Sequence, residues 1–302
     1  MNVIKKLVII LMMLSGLIMI FSKNNHADGK IYTGIPNAND DYYQPFKFDI
    51  KKLQFSLKSQ VVPYGDIWIR DVAPVATSRL VKFKYSPDYL PNRQSHKIDA
   101  EFRKWLDSNQ FNYTTSNIVL DGGNFIYNGE DTVIMTTKVL SENPKYTKAD
   151  LIDELKSVLQ VSKIILINPE PGDVLGHADG QVHFIQPNVL FMGNFEGNIA
   201  VKKQIKVAMP QVKILDLISN YQESGQYDEQ IPSAKGLYIN MMETKHAIYV
   251  PQYGLRQDKD ALKLVRQYTD KQIHPVNVSK LSTLGGSVNC LTWYCPKELL
   301  PK

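Results

Sequence analysis

Three short strings carry side chains that could do chemistry together: DIWIRD (Asp66–Asp71), LGHADG (Leu175–Gly180) and GGSVNC (Gly285–Cys290). Each lies among apolar runs of strand-like composition, which places Asp71, His177, Asp179 and Cys290 on loops. A thiol is a nucleophile once ionised, an imidazole moves protons near neutrality, and carboxylates grip cations. Together they would suit a planar guanidinium, held by paired N–H bonds to two carboxylates while the thiol attacks its carbon and a C–N bond breaks.

Each residue also has a plainer reading. Cys290 could be a small buried hydrophobe, but the paired glycines before it let backbone approach a ligand and favour a reactive thiol. His177 and Asp179 could form a polar turn, or ligate a metal together with His183. If residues 181–185 form a strand, His183 points elsewhere. Asp71 could pair with Arg70 at the surface, which is worth little. Trp68 is either an aromatic wall beside a cation or a core residue. The string DGGN (Asp121–Asn124) is a turn signal, with Asn124 its one candidate for the site. Only two cysteines occur, Cys290 and Cys295. A bridge between them would close too little chain to stabilise much, and they do not make a zinc set. Cys295 is read as structural, and a regulatory bridge to Cys290 stays open.

The elements that must position these loops form a loose repeat. Helical spacing over Ile98–Leu106 leads to an extended run Ile118–Leu120, the DGGN turn and the strand-like TVIMTTKVL. Thr147, with Asp150 three residues on, predicts a helix N-cap. Leu151, Ile152, Leu155, Val158 and Leu159 then recur at helical spacing, before KIILIN, the GHAD loop and NVLFMG. A further unit has a helix near Ile199–Met209, then VKILDL and the strand-like pair GLYIN and HAIYV. The last has Leu262, Leu264, Val265 and Tyr268 on a helix, then IHPVNV. A unit of fifty to sixty residues that recurs predicts one α/β domain built as a ring, with loops converging on its axis.

The N-terminus reads differently. Lys5 and Lys6 precede an unbroken apolar run, Leu7–Phe21, and then polar sequence, the layout of an export signal. The run is short for a membrane span, which needs ~20 apolar residues, and the cleavage site after it is poor, so an uncleaved anchor stays open. Residues 1–27 are therefore read as signal or anchor, 28–47 as a linker or extended lead-in, and 48–302 as the catalytic domain. The formal charge of +5 over 302 residues comes from scattered lysines without interleaved aromatics, which argues against nucleic acid. Contact with a membrane is expected only through the N-terminal segment.

Taken in order, WIRD, DGGN, GHAD and GGSVNC resemble the motifs of the guanidino-group modifying enzymes, most of all the agmatine deiminases and the Porphyromonas-type peptidylarginine deiminases. The resemblance covers roughly Asp66 to Pro296. It implies a five-bladed, pseudo-symmetric α/β propeller with the site on its axis. Cys290 would be the nucleophile, His177 the general acid and base, and Asp71 with Asp179 the guanidinium-binding carboxylates. Trp68 and Asn124 would neighbour the substrate, a small guanidino compound or an arginine-containing peptide, and no metal or organic cofactor would be needed. The export segment pulls toward peptidyl-arginine, the resemblance toward agmatine. A manganese ureohydrolase is disfavoured because the run of paired aspartates for a two-metal clamp is absent; an inactive guanidino-binding module is a third reading. Two departures stand out. The usual opening strand and the proline- and tryptophan-rich entry motif are missing, which implies a reduced first blade. Asn289 stands where the family often has histidine.

Overall fold

The computed structural model describes residues 29–219, 226–229 and 231–302; the export segment expected at 1–27 lies outside them. The described strands form five three-stranded sheets. The first contains β1 (Gly29–Pro36) and β2 (Gln60–Gly65), and the second β3 (Val75–Ala76), β4 (Leu80–Lys84) and β5 (Thr114–Val119). The third contains β6 (Ile126–Tyr127), β7 (Thr132–Thr136) and β8 (Lys163–Ile167). β9 (Val182–Gln186), β10 (Val189–Met192) and β11 (Lys213–Asp216) make the fourth. β12 (Met242–Glu243), β13 (Ala247–Gln252) and β14 (Gln272–Asn277) make the fifth, and β15 (Trp293–Pro296) returns to complete the first.

Every sheet follows one rule. Its middle strand is antiparallel to one neighbour and parallel to the other. A parallel pair needs a long crossover, and a helix supplies it each time: α1 (Lys47–Leu57), α2 (Asn92–Ser108), α3 (Lys148–Leu159), α4 (Asn198–Ala208) and α5 (Asp258–Arg266). α1 also packs on β14, α2 on β2 and α4 on β8, in each case the last strand of the preceding unit. This is the pseudo-five-fold α/β propeller that the motif order implied.

Local sequence explains most of these elements. The middle strand β7 is buried at all five positions, as a strand covered on both faces must be, and its sequence TVIMT is correspondingly apolar. In α3, Leu151, Leu155 and Leu159 fall on one face and are buried. Thr147 caps that helix, its hydroxyl accepting the Asp150 N–H at 3.2 Å. α2 begins six residues before Ile98, because its first turns are polar and only Ile98, Phe102 and Leu106 mark the inward stripe.

Two expectations need correction. The stretch read as a linker contains β1, the central strand of the first sheet, with Tyr32 and Thr33 buried. The opening strand is therefore present, and although little chain precedes it, the first sheet has three strands like the others. Gly29, Lys30 and Gly34 break up its apolar pattern, and its antiparallel partner β15 comes from the other end of the chain. The second correction concerns GLYIN, which is a pair of turns rather than a strand. It is apolar because Tyr238 and Ile239 lie in the core.

Among the described residues fifteen strands form the ring, and β15 closes it on β1. Closure is sealed by Trp293, whose ring lies 4.8 Å from that of Tyr32 and 5.4 Å from that of Phe111. Trp293→Ala is expected to remove roughly 3–5 kcal/mol of stability. In urea titration the midpoint should fall at constant slope, and an unmoved midpoint would show that closure does not depend on this contact.

Candidate active site

The chain passes from each sheet to the next through a segment that turns at the ring's axis, and each of the five segments contributes to one cluster. After β2, the helical turn Ile69–Val72 presents Asp71. After β5, the turn Gly122–Asn124 follows Asp121. After β8, His177 caps the turn Ala178–Gly180, which carries Asp179. Asn240 precedes β12 and Cys290 precedes β15. Asp71, Asp121, His177, Asp179, Asn240 and Cys290 are all buried.

Backbone contacts between these segments fix the geometry. The Arg70 N–H donates to the Cys290 carbonyl at 3.2 Å, and Arg70 Nε donates to the Asn289 carbonyl at 3.3 Å. Arg70 therefore ties the Asp71 turn to the cysteine turn. Asn240 braces the other side: its Oδ1 accepts the Cys290 N–H at 3.2 Å and its Nδ2 donates to the Asp179 carbonyl at 3.4 Å. Gly176 takes the left-handed conformation at φ +62°, and its carbonyl accepts the Thr136 hydroxyl at 2.6 Å, which sets the entry to His177.

The functional atoms then meet. Asp179 Oδ2 lies 3.6 Å from Cys290 Sγ and accepts Asn289 Nδ2 at 2.9 Å. Asp71 Oδ1 accepts the Gly123 N–H at 3.0 Å and stands 3.7 Å from His177 Nδ1. His177 Nε2 lies 3.2 Å from Asp121 Oδ2, which also accepts the Tyr89 hydroxyl at 2.7 Å. Trp68 packs against the backbone of Gly286, where an added Cβ would come within 2.3 Å of the indole and 3.1 Å of the Cys290 Cβ.

Charge sets the protonation of these groups. Burial, with Asp121 and Asp179 nearby, pushes Asp71 up to about 7 despite His177 beside it. Burial pulls the His177 imidazolium down, but Asp71, Asp121 and Asp179 outweigh it and hold the ring up at about 10. Burial, then Asp179 and Asp71, pushes the Cys290 thiol well above its ordinary value. The resting site therefore pairs a neutral thiol with a protonated imidazole among three buried carboxylates.

A model of the Porphyromonas-type peptidyl-arginine deiminases matches residues 44–296. The chain belongs to that family. Its chemistry is hydrolysis of the C–N bonds of linear amidines. The fold matches the solved agmatine deiminase of Enterococcus faecalis, with a TM-score of 0.75 at 21% identity over 89% of this chain and 93% of that one. It also matches the C. jejuni agmatine deiminase, with a TM-score of 0.76 at 18% identity over 89% and 94% of the two chains. In sequence, the agmatine deiminase of Medicago truncatula is 23% identical over 77% of this chain and 76% of its own.

Within this deiminase fold, Cys290, His177, Asp179, Asp71 and Trp68 come together as the sequence suggested. Asn124 lies in the turn after Asp121, where its Oδ1 accepts the Thr136 N–H at 2.7 Å and its buried Nδ2 has no hydrogen-bond partner among the described residues. From the same motif, Asp121 and Gly123 reach the site. His183 faces Glu243 at 3.3 Å, a bridge from β9 to β12 away from the thiol. Asn289 takes over a site contact through Asp179. Tyr89 and Asn240 carried no local signal, since their partners are supplied by turns far away in the chain.

Two substitutions probe this arrangement. A Cβ on Gly123 would fall 2.5 Å from His177 Nδ1 and 2.8 Å from Asp71 Oδ1. Gly123→Ala should therefore lower kcat/KM roughly hundredfold with the circular dichroism spectrum retained; unchanged turnover would mean these side chains need not hold their places. Tyr89→Phe removes a hydrogen bond to a charged group, worth about 1.5–3 kcal/mol. It should lower kcat about tenfold or more and leave KM nearly unchanged. A fall in the midpoint without a fall in kcat would make Tyr89 a packing residue only.

Proposed function

We propose that the protein is an exported deiminase that converts agmatine to N-carbamoylputrescine and ammonia, with Cys290, His177, Asp71 and Asp179 as the working groups. The observation that carries this reading is the meeting of Cys290 with Asp179 at 3.6 Å and of His177 with Asp71 at 3.7 Å on one buried axis. Two buried carboxylates beside a thiol match a guanidinium, which stays protonated and planar.

The chemistry follows from charge. Asp71 and Asp179 accept N–H bonds from the guanidinium and aim its central carbon at Cys290 Sγ. The bound cation offsets the two carboxylates, so the thiol ionises more readily with substrate in place than without it, its proton passing to solvent because His177 is already protonated. Thiolate attack forms a C–S bond. The tetrahedral centre collapses as His177 donates its proton to the departing nitrogen, which leaves as ammonia. The S-alkylthiouronium that remains is attacked by water, deprotonated by His177. Collapse breaks the C–S bond, returns the proton and releases the ureido product. One water is consumed and one ammonia formed, with no redox change. Tyr89 and Asp121 steady the imidazole through both proton transfers.

Burial supports a small substrate. Cys290, His177, Asp71 and Asp179 are all less than a tenth exposed, so the reacting carbon must arrive at the tip of a slender chain. Peptidyl-arginine is the second reading, favoured by the family's description and by the apolar segment Leu7–Phe21, which suits a target outside the cell.

The test is to offer agmatine, free arginine and an arginine-containing peptide under reducing conditions and to measure ammonia and urea. Ammonia without urea, lost in Cys290→Ala, is expected, and the preferred compound chooses between the two readings. Urea, or full turnover by Cys290→Ala, would overturn the mechanism. Activity should rise as pH passes about 7, where Asp71 loses its proton and can grip the cation. It should fall near pH 10, where His177 loses the proton it must donate.

A further inference from the structure

The outer face of α1 is unlike that of a helix facing only water. Ile50, Leu53 and Leu57 point into the core. Two turns apart on the opposite side, Phe48 is 67% exposed and Phe55 86% exposed. Lysines flank this pair: Lys47, Lys51, Lys52 and Lys58 are all exposed, with the Lys52 ammonium 4.4 Å from the centre of the Phe48 ring. The helix's one acidic residue, Asp49, is turned aside onto Lys280 at 3.2 Å. Next to the helix, Val61 on β2 adds a further exposed apolar side chain, 41% accessible. Phenylalanine at the crest of a helix with cations on both flanks is the pattern of a surface that sinks its rings into the apolar edge of a bilayer and sets its lysines among anionic headgroups.

Topology supports the same partner. β1 and β2 are parallel with Tyr32 opposite Gln60, so the C-terminal end of α1, with Phe55 and Lys58, lies at the same end of the blade as Gly29. The apolar run Leu7–Phe21 is joined to Gly29 by residues 22–28, a stretch that can reach about 25 Å at full extension. A run held in a membrane would keep this end of the blade near it. Cys290 and Asp71 lie at the other end, beyond the last residues of β2 and before β15.

We infer that the Phe48–Phe55 face of α1 is a docking surface for an anionic lipid bilayer, a second membrane contact besides the N-terminal segment. It acts through partial insertion, and no helix of the described residues is long and apolar enough to cross a membrane.

The test uses residues 29–302, which hold the whole closed ring, in sedimentation with vesicles of phosphatidylcholine alone or mixed with phosphatidylglycerol. Binding to the anionic vesicles and not to the neutral ones is expected. The pair Phe48→Ser/Phe55→Ser should weaken it about tenfold or more, and Lys51→Glu/Lys52→Glu should do the same, with thermal midpoints unchanged because all four side chains are exposed. Phe55→Trp should show an emission blue shift on adding anionic vesicles. Absence of binding, or binding indifferent to the phenylalanines, overturns the inference. So does equal retention by heparin or duplex DNA that the phenylalanine pair does not affect, which would mark a plain cationic surface. None of these readouts depends on turnover, so failure of the proposed reaction and failure of the docking surface are separable.

Discussion

The interaction on which everything else turns is electrostatic: three aspartates, Asp71, Asp121 and Asp179, are buried around one imidazole and one thiol. Burial, with Asp121 and Asp179 nearby, raises Asp71. His177 offsets part of the repulsion, and Arg70, close to Asp179, Cys290 and Asp71, offsets more. What remains shows in Asp71, held up near 7, and in the raised thiol. A site one positive charge short will bind a cation and respond to it. In the proposed reaction, the same interaction that would recognise the guanidinium also prepares the nucleophile.

Groups that repel one another need a scaffold that does not yield. The ring provides it by setting each carboxylate on a different turn and bracing that turn from the next unit. Gly123 holds Asp71, Arg70 holds the cysteine turn, and Asn240 holds both Cys290 and the Asp179 backbone. Removing one partner of such a buried set leaves the others uncompensated. The arrangement also depends on closure: β15 pairs with β1, and only that pairing brings the last functional residue of the chain against the first. Site and fold are therefore cooperative in the strict sense that neither is complete without contacts between the two ends of the chain.

How much of this was legible in the sequence follows from the same geometry. Asp71, His177, Asp179 and Cys290 could be read because each sits in a compact motif marked by glycine or by a flanking aromatic. α3 could be read because its cap and its leucine spacing agree. β1 could not, since its sequence GKIYTGIP lacks a clean alternation and its partner lies at the far terminus. GLYIN misled because a buried turn is as apolar as a strand. In DGGN the turn was recognised but the working residue was not. Asp121 acts only through a histidine from the next unit, and Tyr89 only through Asp121. Local pattern reports which residues can react; which of them are steadied, and by what, is set by contacts between units.

A raised thiol is at first sight a poor nucleophile. Thiolate is the form that oxidises as well as the form that attacks, and the export proposed above would set the enzyme in an oxidising medium. The nearest thiol in sequence, Cys295, is buried in the core of the first unit beneath Trp293 and Tyr32 and is itself held protonated by burial. Neither cysteine is thus a ready partner for the other, and both are free. Confining ionisation of Cys290 to the moment when a cation sits between Asp71 and Asp179 gives reactivity toward the guanidinium and withholds it from stray oxidants. The carboxylates that are electrostatically costly to bury together are, on this view, also what keeps the cysteine usable.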